Sequence, residues 1–315
     1  MSTPDILCMG EAMVEFVRTG EEAGHPVYRQ GIGGDTSNAA IAAARQGASV
    51  GYLSAVGEDE FGSVLRKYWQ AENIDTTGVV QSNSAPTGIY FVDPQPELRR
   101  FTYYRAGSAA SQMTPRHLDE ELIVRARVLH LSGISLAISE GARETCFEAI
   151  RIARANGVLV SLDLNHRPRL WSHDLAGATV ERLLPEVDIF FPSLDEAESL
   201  SGVKGADAVL DHYAGLGATQ QCLKLGRKGC RVAWNGTRFN QVAFSTTAVD
   251  STGAGDSFAG AFLARYLETQ DAQDATLYGC ATAALTVAGH GAVSPLPSRQ
   301  QIEALISEQG CYVGA

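Results

Sequence analysis

DSTGAGDSFAGAF, residues 250–262, sets a glycine-rich turn directly before a run of helical periodicity. Phe258, Ala261, Phe262 and the aliphatic stem of Arg265 fall on one face of that run. A turn placed there aims the unpaired backbone N–H groups of Gly253, Ala254 and Gly255, with the positive end of the helix dipole, at one spot suited to a phosphate oxygen. Small residues keep side chains out of the way of that oxygen. Asp256 is the oddity, because a carboxylate repels an anion. Its plainer account is a first-turn acid that stabilises the helix by about 1 kcal/mol.

A second glycine stretch, GIGGDTSN at 31–38, leads into an alanine-rich helix expected over 38–46. Paired glycines allow close backbone approach, and Asp35, Thr36 and Asn38 supply polar groups suited to hydroxyls. Neither loop fits the competing nucleotide motifs. The chain has no G-x-x-x-x-G-K-[ST], and Thr36 and Phe258 stand where G-x-G-x-x-G needs its third glycine.

Between these stretches short β-type runs alternate with helical ones, as in parallel strands joined by crossover helices. Strands are expected at Ile6–Met9, 50–56, 128–131, 158–163, 188–191 and 221–225. Helices are expected at 58–71, 140–156, 195–201, Ala206–Gly215, 254–267, 272–288 and 299–308, with short strands around Val232 and Phe239. Two segments break the rhythm, 13–31 and 88–107. The second has β-rich arms at 89–92 and 100–104 around a Pro-rich turn at 93–97, a hairpin that needs something to cover. The class is therefore α/β, one domain over 1–315 with a small β excursion.

A net charge of −11 argues against nucleic acid and anionic lipid as partners. No signal peptide or bilayer-length apolar run is seen, so a cytoplasmic protein is expected. Six scattered cysteines without C-x-x-C, and no H-E-x-x-H, speak against disulfides and structural zinc.

GGDTSNAA and DSTGAGDSFAGAF together resemble the paired signatures of the PfkB (ribokinase-like) family of carbohydrate kinases. The resemblance covers nearly the whole chain. It implies a three-layer α/β/α core with a mostly parallel sheet, and a β-lid formed by 13–31 and 88–107. It implies Asp256 as catalytic base and Gly253, Ala254 and Gly255 as anion hole. ATP and Mg2+ are the implied cofactors, with room for a monovalent cation, and a homo-oligomer is implied.

Three further segments, YYRAGSAAS at 103–111, LSGISLAI at 131–138 and DLNHRPRLW at 163–171, are similar to those of 2-keto-3-deoxygluconate kinases in that family. Such a substrate carries a carboxylate, which an arginine fork matches. By this resemblance Gly34, Asp35, Asn38, Tyr90, Tyr103, Arg105, Ile134, Arg167 and Asp256 meet the acid sugar. Whether Arg167 holds carboxylate or phosphate stays open. Asn165, Arg167, Lys224, Gly226, Gly229, Gly253 and Gly255 meet ATP, with Ala281, Ala284 and Gly291 as weaker adenine candidates. Glu196 stands for the metal, directly or through water, in PSLDE at 192–196, where the family usually has Asn in place of Ser193. The stretch MVE at 13–15 lacks the Asp of ribokinases, which argues against ribose and nucleosides and leaves Glu15 open as its substitute. The alternatives are a fructokinase-like enzyme, a kinase of the galacto epimer, and a catalytically silent sugar sensor.

Overall fold

The computed structural model describes residues 4–93, 100–310 and 313–314. In chain order its strands are β1 (Ile6–Met9), β2 (Met13–Glu22), β3 (His25–Gly33), β4 (Val50–Gly57), β5 (Val79–Ser82), β6 (Ile89–Asp93) and β7 (Arg100–Tyr104). They continue as β8 (Val128–Ser132), β9 (Leu159–Asp163), β10 (Ile189–Phe191), β11 (Gln221–Lys224), β12 (Cys230–Trp234), β13 (Thr237–Gln241) and β14 (Val313–Gly314). Ten of them form one sheet in the order β14-β13-β12-β11-β10-β9-β8-β1-β4-β5. The seven strands from β11 to β5 pair in parallel, and β12 to β14 extend the sheet antiparallel.

Strand geometry makes this a three-layer structure. Side chains alternate across a strand, so Ile6 and Cys8 of β1 join a buried cluster with Phe258 and Phe262, while Leu7 and Met9 join another with Ile150 and Val180. Both sheet faces are covered by helices, which is why strands such as VGYLSAVG read as continuous apolar runs.

The parallel register also aligns the carboxyl ends of the strands. Ser132 pairs with Asp163, and Asp163 with Phe191. Lys224 ends β11 on the same edge. The chain leaves β1 toward β4 on one side and meets β8 on the other, so a crevice opens there at a switch of strand order, where open α/β sheets take ligands.

The remaining strands make the lid, in the order β3-β2-β6-β7. The expected hairpin is present as β6 and β7, paired antiparallel from Ile89↔Tyr104 to Asp93↔Arg100. Its Pro-rich turn falls partly on residues 94–99, outside the described ones.

Several boundaries differ from the sequence reading. The first helix spans Asp35–Arg45, so Asp35, Thr36 and Asn38 sit in its first turns and not in a loop. Strand β5 and the helices Glu120–Arg125 and His173–Leu183 were not anticipated. The last is started by Ser172, whose side chain accepts from Leu175 N. Ala281 and Ala284 are buried residues of the helix Ala272–Thr286 itself and pack into the core, as an alanine-rich packed helix would. Among the described residues no helix is long and apolar enough to cross a membrane.

Candidate active site

Helix Ala254–Thr269 starts at Gly253, whose φ of 76° lies in the left-handed region. A Cβ there would also meet Ala292 at 3.0 Å, so local geometry alone demands this glycine. The N–H of Ala254 closes the turn onto the Ser251 carbonyl at 3.3 Å. Of the three expected donors, the Ala254 N–H is thus turned toward Ser251. Gly255 and Asp256, the second and third helical positions, are the residues whose N–H groups lack an intrahelical acceptor by position.

Asp256 is half-buried at this turn, and two amides hold its carboxylate. Asn38 Nδ2 donates to Oδ2 at 2.8 Å, and Asn165 Nδ2 donates to Oδ1 at 3.3 Å. Enclosure by the protein, then the nearby charge of Asp163, push its pKa up to about 7. The Asn38 hydrogen bond and Lys224 pull the other way. A carboxyl so poised exchanges protons near neutrality, as a general base requires.

The two glycine loops meet because Gly260 has no side chain. A Cβ on Gly260 would collide with the carbonyl of Ala39. The helix Asp35–Arg45 therefore packs directly against the helix Ala254–Thr269, which brings Asn38 to Asp256.

Above them, strand register builds a row on the lid's inner face. Glu15 pairs with Tyr90, and Tyr90 with Tyr103. The Tyr90 hydroxyl donates to Glu15 Oε2 at 2.7 Å, and the Tyr90 and Tyr103 rings stack at 5.5 Å. Glu15, left open by the sequence, is thus buried and hydrogen-bonded in this row. Arg105, just past β7, lies 5.9 Å from the Tyr103 ring centroid and forms an ion pair with Glu11.

Glu11 was missed as a site residue. It is 1% exposed, accepts from the Ser108 hydroxyl, and partners Arg105. An acid inside an apolar run at the end of β1 is the signal that could have found it. Arg105 is accordingly not a lone cation. Its Nη2 faces Glu11, and its Nε is buried without a hydrogen-bond partner among the described residues.

Asp35 lies close by, taking the Ser132 hydroxyl. Burial pushes its pKa up to about 6 against the opposing pull of Arg105. Ile134 is half-buried on the short helix after β8, its N–H donating to Ser132 Oγ at 3.1 Å. Gly34, with φ 144°, has no room for a Cβ, which would meet Glu11 O at 2.6 Å.

At the end of β11, Lys224 Nζ donates to Asp163 Oδ2 at 2.5 Å. Gly226, with φ 59°, faces open space. Gly229 does not, since a Cβ there would strike the Gln241 backbone, so packing by itself already requires this glycine.

Arg167 Nη1 donates to Glu196 Oε1 at 2.6 Å. The other oxygen, Glu196 Oε2, is buried with no partner among the described residues. A buried carboxylate oxygen left unpaired is costly, and a cation, directly or through water, would satisfy it. Among the described residues no group of three metal-type ligands occurs. That suits Mg2+, which keeps waters and leans on one or two carboxylates and on phosphates.

Residues 3–299 match the profile described as pfkB family carbohydrate kinase. The chain belongs to that family. A 2-dehydro-3-deoxygluconokinase of Thermoproteus tenax is 34% identical over 309 residues, covering 96% of this chain and 94% of the relative. A 5-dehydro-2-deoxygluconokinase of Listeria monocytogenes is 30% identical, covering 96% of each. Among solved structures, a ribokinase-like protein of E. coli in complex with ATP and Mg2+ is 26% identical, with a TM-score of 0.89 over 97% of this chain and 99% of that one. This pfkB-family chain is an ATP-dependent sugar kinase.

Proposed function

We propose that the protein phosphorylates 2-keto-3-deoxygluconate on its C6 hydroxyl, giving 2-keto-3-deoxy-6-phosphogluconate and ADP. The observation that carries the acid-sugar reading is Arg105. Its side chain is buried beside the lid row that holds Tyr90 and Tyr103, with Nη2 paired to Glu11 and Nε left without a hydrogen-bond partner among the described residues. A substrate carboxylate would take Nε in a charge-assisted bond and share the guanidinium charge with Glu11. A neutral ketose, the fructokinase-like alternative, offers that donor only uncharged acceptors, which make the weaker bond. The first relatives' names, both for kinases of dehydro-deoxygluconates, agree with an acid sugar.

In this reading the lid row and Arg105 seat the sugar with C6 toward Asp256. Asp256 takes the hydroxyl proton, the oxygen forms a bond to the γ-phosphorus, and the bond to the β-phosphate oxygen breaks as ADP leaves. Backbone N–H groups of the turn at Gly253 to Asp256 receive charge on the transferring group. Glu196 would hold Mg2+, which neutralises charge on the ATP phosphates. Arg167, bonded to the same carboxylate, is assigned in this reading to the phosphates and not to the sugar carboxylate. A silent sensor would have no use for a base held by two amides and poised near neutrality.

The position of transfer is read by 31P NMR of the product made from Mg-ATP and 2-keto-3-deoxygluconate. A phosphomonoester coupled to two protons supports C6. Coupling to one proton places the phosphate on a secondary hydroxyl and removes the proposed regiochemistry.

A further inference from the structure

Lys224 ends β11 with its ammonium beneath the first turn of the helix Ala254–Thr269. Its Nζ lies 3.1 Å from where a Cβ on Gly255 would stand. Asp163, at the end of β9 across β10, holds it there through Oδ2 at 2.5 Å. Among the described residues that is the ammonium's one hydrogen bond. An ammonium has three N–H donors, so two remain for a ligand at the glycine turn.

The other Asp163 oxygen, Oδ1, accepts from Asn165 N at 3.2 Å. Asn165 adopts φ 34°, in the left-handed region, and its side chain reaches Asp256. One carboxylate thus fixes both the cation under the turn and the residue that orients the carboxylate above it.

Stability alone is a weak reason for such a pair. Desolvating both ions roughly cancels their attraction, and an apolar pair of similar volume would hold a sheet edge as well. Burial works to strip the proton from Lys224, and the charge and hydrogen bond of Asp163 together with the charges of Glu196 and Asp256 more than offset that, so the ammonium stays charged.

Resting on the reading of the Gly253 turn as the phosphate site of a sugar kinase, we propose that Lys224 is a catalytic residue whose ammonium meets the transferring phosphoryl group, and that Asp163 is the positioning residue that holds it there. The family resemblance implies that Lys224 meets ATP; its contact with the transferring group, and the part of Asp163, go beyond that.

The test compares Lys224→Met, Asp163→Asn and the double variant. Lys224→Met lowers kcat by about 10²–10³-fold, the usual cost of removing one donor to a developing anion, with the sugar KM little changed. Asp163→Asn, which can still accept from Lys224, costs about tenfold. The double variant carries no unpaired buried charge, so it melts near the wild-type temperature even where Lys224→Met folds poorly, yet its kcat stays as low as that of Lys224→Met. Calorimetry of Mg-ATP and Mg-ADP without sugar reads the same contact. Removing the ammonium weakens ATP binding and leaves ADP unchanged. A well-folded double variant with wild-type kcat, or with the wild-type ratio of ATP to ADP affinity where no sugar is turned over, overturns the inference. A wild-type protein inert toward every sugar removes the proposed function instead, and the affinity ratio then decides Lys224 alone.

Discussion

Asn38 and Asp256, 218 residues apart, meet in a 2.8 Å hydrogen bond that joins the two glycine-rich stretches into one site. The amide can only donate to the carboxylate here, so it favours the ionised form while burial and Asp163 disfavour it. The balance leaves Asp256 near neutrality, and that sets its pH behaviour.

As a base Asp256 must be ionised, so kcat/KM falls as pH drops below about 7. Asp256→Asn lowers kcat by about 10²–10⁴-fold while sugar and ATP still bind, read by steady-state kinetics and equilibrium titration. Stability moves oppositely. The folded-state pKa lies above the ordinary value of 3.8, so the native state binds the extra proton and is favoured at low pH. That contribution is lost as pH rises from about 4 through 7. Asp256→Asn should therefore raise the melting temperature at pH 8 and change it little at pH 4. Equal kcat in the Asn variant would remove the base assignment.

Arg105 and Glu11 form a pair whose members are 13% and 1% exposed at the side chain. Arg105→Ala leaves a buried carboxylate alone and should destabilise the fold by about 3–5 kcal/mol, measured by denaturant unfolding. Arg105→Lys keeps the charge and loses the fork. It should raise the KM for the acid sugar at least tenfold, as expected for a lost charge-assisted bond, with kcat and the unfolding midpoint little changed. An unchanged KM would show that Arg105 serves Glu11 and not the substrate.

Gly260 tests whether helix contact sets the site. A methyl group there meets the Ala39 carbonyl, so Gly260→Ala must push the two helices apart. The expected result is a lower melting temperature and a kcat loss of about 10²-fold, the scale of an ångström misplacement. Lost stability with intact kcat would mean that Asn38 is not needed against Asp256.

What the sequence made legible was local. The turn before the Ala254 helix, Asp256 within it and the lid hairpin each lie within a few residues of their own signal. Gly260 sits in the same run, but its reason, contact with a helix more than 200 residues earlier, is invisible locally. Glu11 and Asp163 escaped for the same cause. Ser108 lies 97 residues from Glu11, and Lys224 61 from Asp163; the first pair meets where the chain leaves the lid sheet, and the second because the parallel sheet puts the ends of β9 and β11 on one edge. The row Glu15, Tyr90, Tyr103 depends on pairing among three strands. Gly229 was legible as a special position, though its constraint is the Gln241 backbone.

The central claim is that this kinase selects an acid sugar through Arg105 and activates it through Asp256. The most direct measurement is ADP release from Mg-ATP with 2-keto-3-deoxygluconate, its galacto epimer, 5-keto-2-deoxygluconate, fructose and ribose, each over a range of concentrations. The account predicts the highest kcat/KM for 2-keto-3-deoxygluconate and little turnover of the neutral sugars. Preference for fructose or ribose would contradict the pocket, and no sugar-dependent ADP from folded, ATP-binding protein would contradict the account as a whole.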